Sequence, residues 1–178
     1  MAAQQALARK QRGSARRTRA RERVARQHRR IANRRRDAAH QLSRALVNAY
    51  DVLVFEDLKI ANMTRSARGT LEHPGSRVAQ KAGLNREILA ASWGGLIGMV
   101  GYKAEEAGRE LILVNPRDTS RRCSSCGHTE AANRRSQAEF CCLACGFRDN
   151  ADRNAARNIL WLGSSLRRQK REAETSAA

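Results

Sequence analysis

Residues 123–156 read CSSCGHTEAANRRSQAEFCCLACGFRDNADRNAA. Two CxxC pairs, Cys123/Cys126 and Cys142/Cys145, are separated by fifteen residues, and a carboxylate, Asp152, follows seven residues after the last cysteine. Each CxxC can bend two thiolates onto one ion, and the stretch between the pairs can close as a hairpin. Four thiolates in a tetrahedron suit one Zn²⁺ at about 2.3 Å. Gly127 and Gly146 follow the second cysteine of each pair, where the chain must turn back and let amides approach the sulfurs. With every ligand a cysteine the site is closed, so the zinc is expected to be structural. Redox disulfides are the competing reading, and the paired spacing in a chain without a secretory pattern favours the metal. Cys141 adjoins Cys142, cannot easily share its orientation, and is expected to stand outside the site.

Working outward, NAARNILWLGSSLRR after the module is an amphipathic helix, and QKREAETSAA is expected to be a frayed tail. Upstream, ELILVNP reads as a strand over Leu111–Val114, stopped by Asn115-Pro116. DVLVFEDL gives an earlier strand, Val52–Phe55, whose unbroken apolar run predicts burial on both faces. Between them lie a polar loop from Lys59 to Gly83 and a helix from Leu84 to a stop at Gly108. That helix presents Leu84, Ile88, Ala91/Ser92, Gly95/Leu96, Met99 and Tyr102/Lys103 on one face, and its glycines at 94, 95, 98 and 101 point to close packing or a kink. At the other end, Ser14 is a candidate N-cap for a helix reaching Tyr50, roughly 55 Å at 1.5 Å per residue. Its expected stripe is Val24, His28, Ile31, Ala38, Leu42, Ala45 and Ala49, widened by Leu46. The order of elements predicts an α/β core interrupted by a small metal module.

Arg9–Arg36 holds fourteen Lys or Arg and one acid, Glu22, and the whole chain has a net charge of +18. So large an excess, mostly arginine, predicts a nucleic-acid partner. Arg16, Arg17, Arg19, Arg23, Arg26, Arg30 and Arg34 are the candidate phosphate contacts. No apolar run reaches the roughly 18 residues of a membrane span, and the N-terminus lacks a signal-peptide pattern. Cysteines at metal spacing indicate a reducing cytosol.

Two acids remain. Glu56 ends the first strand, where ligands gather in open α/β sheets, and Asp152 opens the last helix. Each has a plainer reading, Glu56 with Asp57 as solvated turn residues and Asp152 as a helix cap in competition with Asp149 or Asn150. Together they match the way a nuclease core holds Mg²⁺ through hard oxygen ligands, although such a site wants at least three carboxylates.

HRRIANRRRDAAHQLSRALVNAYDVLVFEDLKIANM, KAGLNREILAASWGGLIGMVGYKAEEAGRELILVNPRDTSRRCSSCG and FCCLACGFRDNADRNAARNIL resemble, in order and spacing, the C-terminal part of TnpB-type (OrfB) transposon proteins, relatives of type V CRISPR effectors. The resemblance runs from about residue 8 to residue 163. It implies an RNA-guided DNA endonuclease with a RuvC-like, RNase H-type fold into which a zinc ribbon is inserted. Glu56 then matches the second catalytic carboxylate, Asp152 the third, and Cys123, Cys126, Cys142 and Cys145 the zinc ligands. The knuckle precedes the acid because the ribbon interrupts the core just there.

The family's first catalytic aspartate lies on an upstream hairpin, and no Asp precedes Asp37 in this sequence. The expected architecture is therefore an incomplete RuvC-like core: basic arm 1–36, core 37–118, ribbon 119–148, last helix 149–166, tail 167–178. The expected function is the nucleic-acid-binding portion of a Mg²⁺-dependent nuclease, inactive alone, with DNA, guide RNA and a separate N-terminal part as partners. The alternative is a catalytically inactive RNA- or DNA-binding or regulatory protein. Either would act in the bacterial cytoplasm, associated with the nucleoid.

Overall fold

The computed structural model describes residues 2–176. The basic N-terminus forms two helices, α1 (Ala2–Ala8) and α2 (Ala15–Ala49). Ser14 caps α2, its Oγ accepting from the Arg17 amide at 3.2 Å, and Tyr50 closes it, as the sequence predicts. The fold-back of α1 is not legible in the sequence. Gly13, at φ 80, supplies the turn. The Arg17 guanidinium then donates to the carbonyls of Leu7 (3.3 Å) and Lys10 (2.9 Å), at the end of α1.

The expected stripe on α2 is displaced. Ile31 and Leu42 are exposed and the buried residues are Ser43 and Val47, while Leu46, on the expected stripe, packs beside them. Only the C-terminal part of α2 meets the core and a later helix, α5 (Trp93–Glu106), while its N-terminal part carries α1, with Gln4 Nε2 3.2 Å from His28 Nε2.

Helix α5 buries Val100, Lys103 and Ala104. Lys103 lies on the expected face, whereas Val100 and Ala104 do not, and the expected single helix is two. α4 (Val78–Ala91) starts inside the expected loop, after a short α3 (Ile60–Met63), and stops at Ser92 in the left-handed region at φ 52. The kink therefore comes just ahead of the glycines. Gly108 (φ 64) ends α5 as predicted. Lys103 is fully embedded, its Nζ donating to the His40 carbonyl (2.7 Å) and Ser43 Oγ (2.6 Å), which fastens α5 to α2.

Strand β1 (Val52–Glu56) pairs in parallel with β2 (Glu110–Val114), in register from Val52↔Glu110 to Glu56↔Val114. Alternate side chains take opposite faces. Leu53 and Phe55 join Val47, Val100, Ala104 and Leu111 in the core under α2 and α5. Val54 turns the other way, onto α6 (Ala151–Ser176). The strands are less covered than the sequence predicts: Leu53 and Val114 are buried but Leu113 is not. Among the described residues the sheet has only two strands, so helices shield it incompletely. α6 continues to Ser176 through most of the expected frayed tail, whose last two residues lie outside the described residues. No described helix is long and apolar enough to cross a membrane.

Gly163 marks the closest approach of α6 to the sheet. A β-carbon there would lie 2.5 Å from Val54 Cγ1 and 2.6 Å from Cγ2. Gly163→Ala is expected to cost about 1–3 kcal/mol through overpacking, despite alanine's better helix propensity. A urea midpoint at or above the wild-type value would show that the helix does not sit this close.

Candidate functional site

The metal module is built from two matching knuckles. In the first, Gly127 N donates to Cys123 O (2.9 Å) and Cys123 N to His128 O (2.8 Å). In the second, Gly146 N donates to Cys142 O (3.0 Å) and Cys142 N to Phe147 O (2.9 Å). Gly127 and Gly146 have φ of 81 and 71, the left-handed turn expected of them. β3 (Glu139–Cys141) and β4 (Arg148–Asn150) pair antiparallel behind the second knuckle, and Phe140 fills the space against Cys123, Cys142 and Ala151.

The four sulfurs of Cys123, Cys126, Cys142 and Cys145 lie within 4.8 Å of one another. Cys123 and Cys145 sulfurs are 3.8 Å apart, and those of Cys126 and Cys142 3.6 Å. A tetrahedron with 2.3 Å metal–sulfur bonds has edges of about 3.8 Å, so the cluster fits a zinc ion. Cys141 is buried on β3 and stands outside the cluster, as expected. The thiols differ in acidity. The Cys145 amide is the main influence holding Cys142 down at about 6. At Cys145 the Phe147 amide also pulls downward, but hydrogen bonding with the Cys126 sulfur, burial and the other thiols outweigh it and push the group up to about 12. A cation is what lets all four ionise together.

Three buried asparagines hold the module, and the sequence reading missed them. Asn133 Nδ2 donates to the Arg121 and His128 carbonyls while its Oδ1 accepts from the Leu143 amide. Asn154 and Asn158, one turn apart on α6, dock the first knuckle. Asn154 Nδ2 donates to Arg122 O (2.8 Å) and its Oδ1 accepts from Ser124 N (3.0 Å). Asn158 Nδ2 donates to Arg122 O (2.6 Å) and Thr119 O (2.9 Å). The visible signal was the i, i+4 pair of asparagines among alanines in DRNAARN. Arg122 adds a guanidinium over the Trp161 ring at 4.1 Å.

Glu56 sits at the C-terminal end of β1, its Oε1 accepting from Thr119 Oγ1 at 2.6 Å. Asp152 is the second residue of α6, and its carboxylate is not the cap. Asn150 Oδ1 takes that role, accepting from the Asp152 (2.9 Å) and Arg153 (3.2 Å) amides. The exposed Asp152 carboxylate pairs with Arg134 at 3.3 Å. Asp149 is ion-paired with Arg157 (2.7 Å) and Arg153 (3.7 Å), and Asp57 with Lys59. Thr119, the partner of Glu56, is also bound by Asn158, which is six residues or about 9 Å of helix rise from Asp152. Among the described residues, however, the cysteines are the only group of three or more potential ligands within reach of one ion.

The arginines stand apart from this site, on α2. Arg16, Arg19, Arg23 and Arg26 line a groove with Lys10 and the start of α1. Arg30 and Arg34 are exposed further along. Arg17 differs, because its guanidinium is occupied with the end of α1.

Comparison with known proteins gives two family matches. Residues 93–159 match the Cas12f1-like TNB domain, and residues 2–67 match OrfB_IS605, described as "Probable transposase". The chain is 42% identical over 130 residues to "Putative RNA-guided DNA endonuclease InsQ" of Escherichia coli K12, covering 73% of this chain and 32% of that one. It is 36% identical over 162 residues to "Putative RNA-guided DNA endonuclease" of Streptomyces pristinaespiralis, covering 90% of this chain and 36% of the relative. The chain thus spans about a third of the length of these relatives. A cryo-EM structure of a Cas12f1–sgRNA–target DNA complex matches 80% of this chain and 36% of its own, with a TM-score of 0.50 at 22% identity, which is likeness of fold.

Proposed function

The chain belongs to the TnpB (OrfB) family and is a relative of Cas12f1, and from that premise we propose that it is the nucleic-acid-binding C-terminal portion of an RNA-guided, Mg²⁺-dependent DNA endonuclease. In this reading 1–36 is the arm on nucleic acid, 37–118 and the last helix belong to a RuvC-like core, and 119–148 is the zinc ribbon. DNA and guide RNA are the partners, in the bacterial cytoplasm at the nucleoid.

What supports the reading is the placing of two acids in the fold: Glu56 ends β1 and binds Thr119, and Asp152 lies in the first turn of α6, the helix whose Asn158 binds the Thr119 carbonyl. Both acids are hard oxygen donors and fit Mg²⁺, which when bound would stabilise charge on the oxygens of the phosphodiester. Two carboxylates are too few for a two-ion site. A third ligand, the first aspartate of the family, is to come from a preceding segment or a separate chain, and the 178 residues alone are not expected to cut. A second reading is an inactive RNA- or DNA-binding regulator: among the described residues no three carboxylates lie within reach of one ion.

Binding is testable on the chain as it stands. Association with nucleic acid is expected to be tight, largely independent of sequence, and to weaken steeply with salt as phosphate counterions are released. Replacing Arg19, Arg23 and Arg26 by glutamine is expected to flatten the log–log salt slope by about 0.9 for each phosphate that is no longer neutralised. An unchanged affinity and slope would mean that α2 is not the contact surface.

A further inference from the structure

Thr119 lies in the short link between β2, which ends at Val114, and the first zinc ligand, Cys123. The link is a tight turn. Asp118 adopts φ 60, and its carbonyl accepts from the amides of Arg121 and Arg122, both at 2.9 Å. Thr119 is buried, 4% exposed, although it is a polar residue in a connection. Its hydroxyl has one proton and two acceptors nearby, Glu56 Oε1 at 2.6 Å and the Pro116 carbonyl at 3.1 Å. The shorter contact to a charged oxygen takes the proton. On its other side the Thr119 carbonyl accepts from Asn158.

Asn158 also binds the Arg122 carbonyl and accepts from the Arg122 guanidinium at 3.2 Å. Asn154 binds the same carbonyl and the Ser124 amide, on either side of Cys123. Glu56, Thr119, Asn158, Arg122, Asn154 and the Cys123 knuckle therefore form one run of hydrogen bonds. Its asparagines are at most 1% exposed and leave little slack for the link to move alone.

We infer that Thr119 is a positioning residue for the Glu56 carboxylate, and that filling the four-cysteine site fixes it in place through Asn154 and Asn158. The zinc module is then a brace for the carboxylate end of the sheet as well as a folded unit in its own right. Its metal controls whether Glu56 is held in one direction or rotates freely. The functional weight of this brace rests on the nuclease reading of Glu56, whereas the coupling itself does not.

The test is carboxyl ¹³C NMR of the whole chain, zinc-loaded, at one neutral pH, with the Glu56 signal assigned by its loss in Glu56→Gln. Thr119→Val keeps the shape and removes the hydroxyl. It is expected to move the Glu56 signal while metal analysis still finds about one zinc per chain. Thr119→Ser restores the hydroxyl and is expected to return the signal to its wild-type position. Asn158→Ala, and removal of zinc by a chelator, are expected to move it in the same direction as Thr119→Val. An unmoved Glu56 signal in zinc-loaded Thr119→Val, or an equal displacement in Thr119→Ser, overturns the inference, and neither outcome depends on a variant that loses the module. A Glu56 signal indifferent to zinc removal overturns the link to the metal. The carbon signal decides the coupling and DNA cutting decides the nuclease reading, so the failure of one is distinguishable from the failure of the other.

Discussion

Cys123→Ser or Cys145→Ser is expected to strip the protein of zinc and to melt the ribbon. Wild type should carry about one ion per chain, as a single four-thiolate site requires. The loss is large because the module has little apolar core of its own. Its apolar cluster is Cys123, Phe140, Cys142 and Ala151 with Phe147 beside them, and two of the four are ligands. Structural zinc sites contribute on the order of 10 kcal/mol of apparent binding energy at neutral pH, and that energy is folding energy. Cys141→Ser should keep its zinc, since that sulfur stands outside the cluster. Acid should release the ion from wild type, because protons compete for the thiolates, Cys145 most avidly at about 12. Metal analysis decides it. Wild type without zinc, or equal loss in Cys141→Ser, would contradict the assignment.

In a completed nuclease, Glu56→Ala or Asp152→Ala is expected to lower DNA cleavage by about a thousandfold or more. A metal ion that stabilises transition-state charge supplies several kcal/mol, and each 1.36 kcal/mol is tenfold in rate. Losing either ligand loses most of that. Nucleic-acid binding should survive both changes, because the arginines lie on α2, away from the sheet end. Asp149→Asn should behave differently. Its carboxylate is tied to Arg157 and Arg153, so its loss should loosen the start of α6 more than it slows cutting. Single-turnover cleavage beside equilibrium binding separates these outcomes.

The parts legible in the sequence were those set by local rules. CxxC spacing, glycines after the knuckles, the Ser14 cap and two β-branched runs each act over a few residues, and each stands where expected. The misses came from tertiary contacts. The stripe on α2 was displaced because only its last third meets α5. The helix break at Ser92 depends on a left-handed residue that no glycine announces. The fold-back of α1 uses one guanidinium, Arg17, among many similar ones, and a Gln4–His28 contact far apart in sequence. At the candidate site, Glu56 and Asp152 were readable from their places on strand and helix. Thr119, Asn154 and Asn158 were not, because small polar side chains show their role only when burial and partners are known.

The most direct measurement is DNA cleavage by the 178-residue chain with Mg²⁺ or Mn²⁺, alone and completed. Completion means fusing or adding the N-terminal part of a full-length relative, such as the 36%-identical Streptomyces protein, together with a guide RNA and matching DNA. Little or no cutting by the chain alone, with cutting restored on completion and lost again in Glu56→Ala and Asp152→Ala, is the predicted result. Robust cleavage by the isolated chain that survives both substitutions would contradict the account.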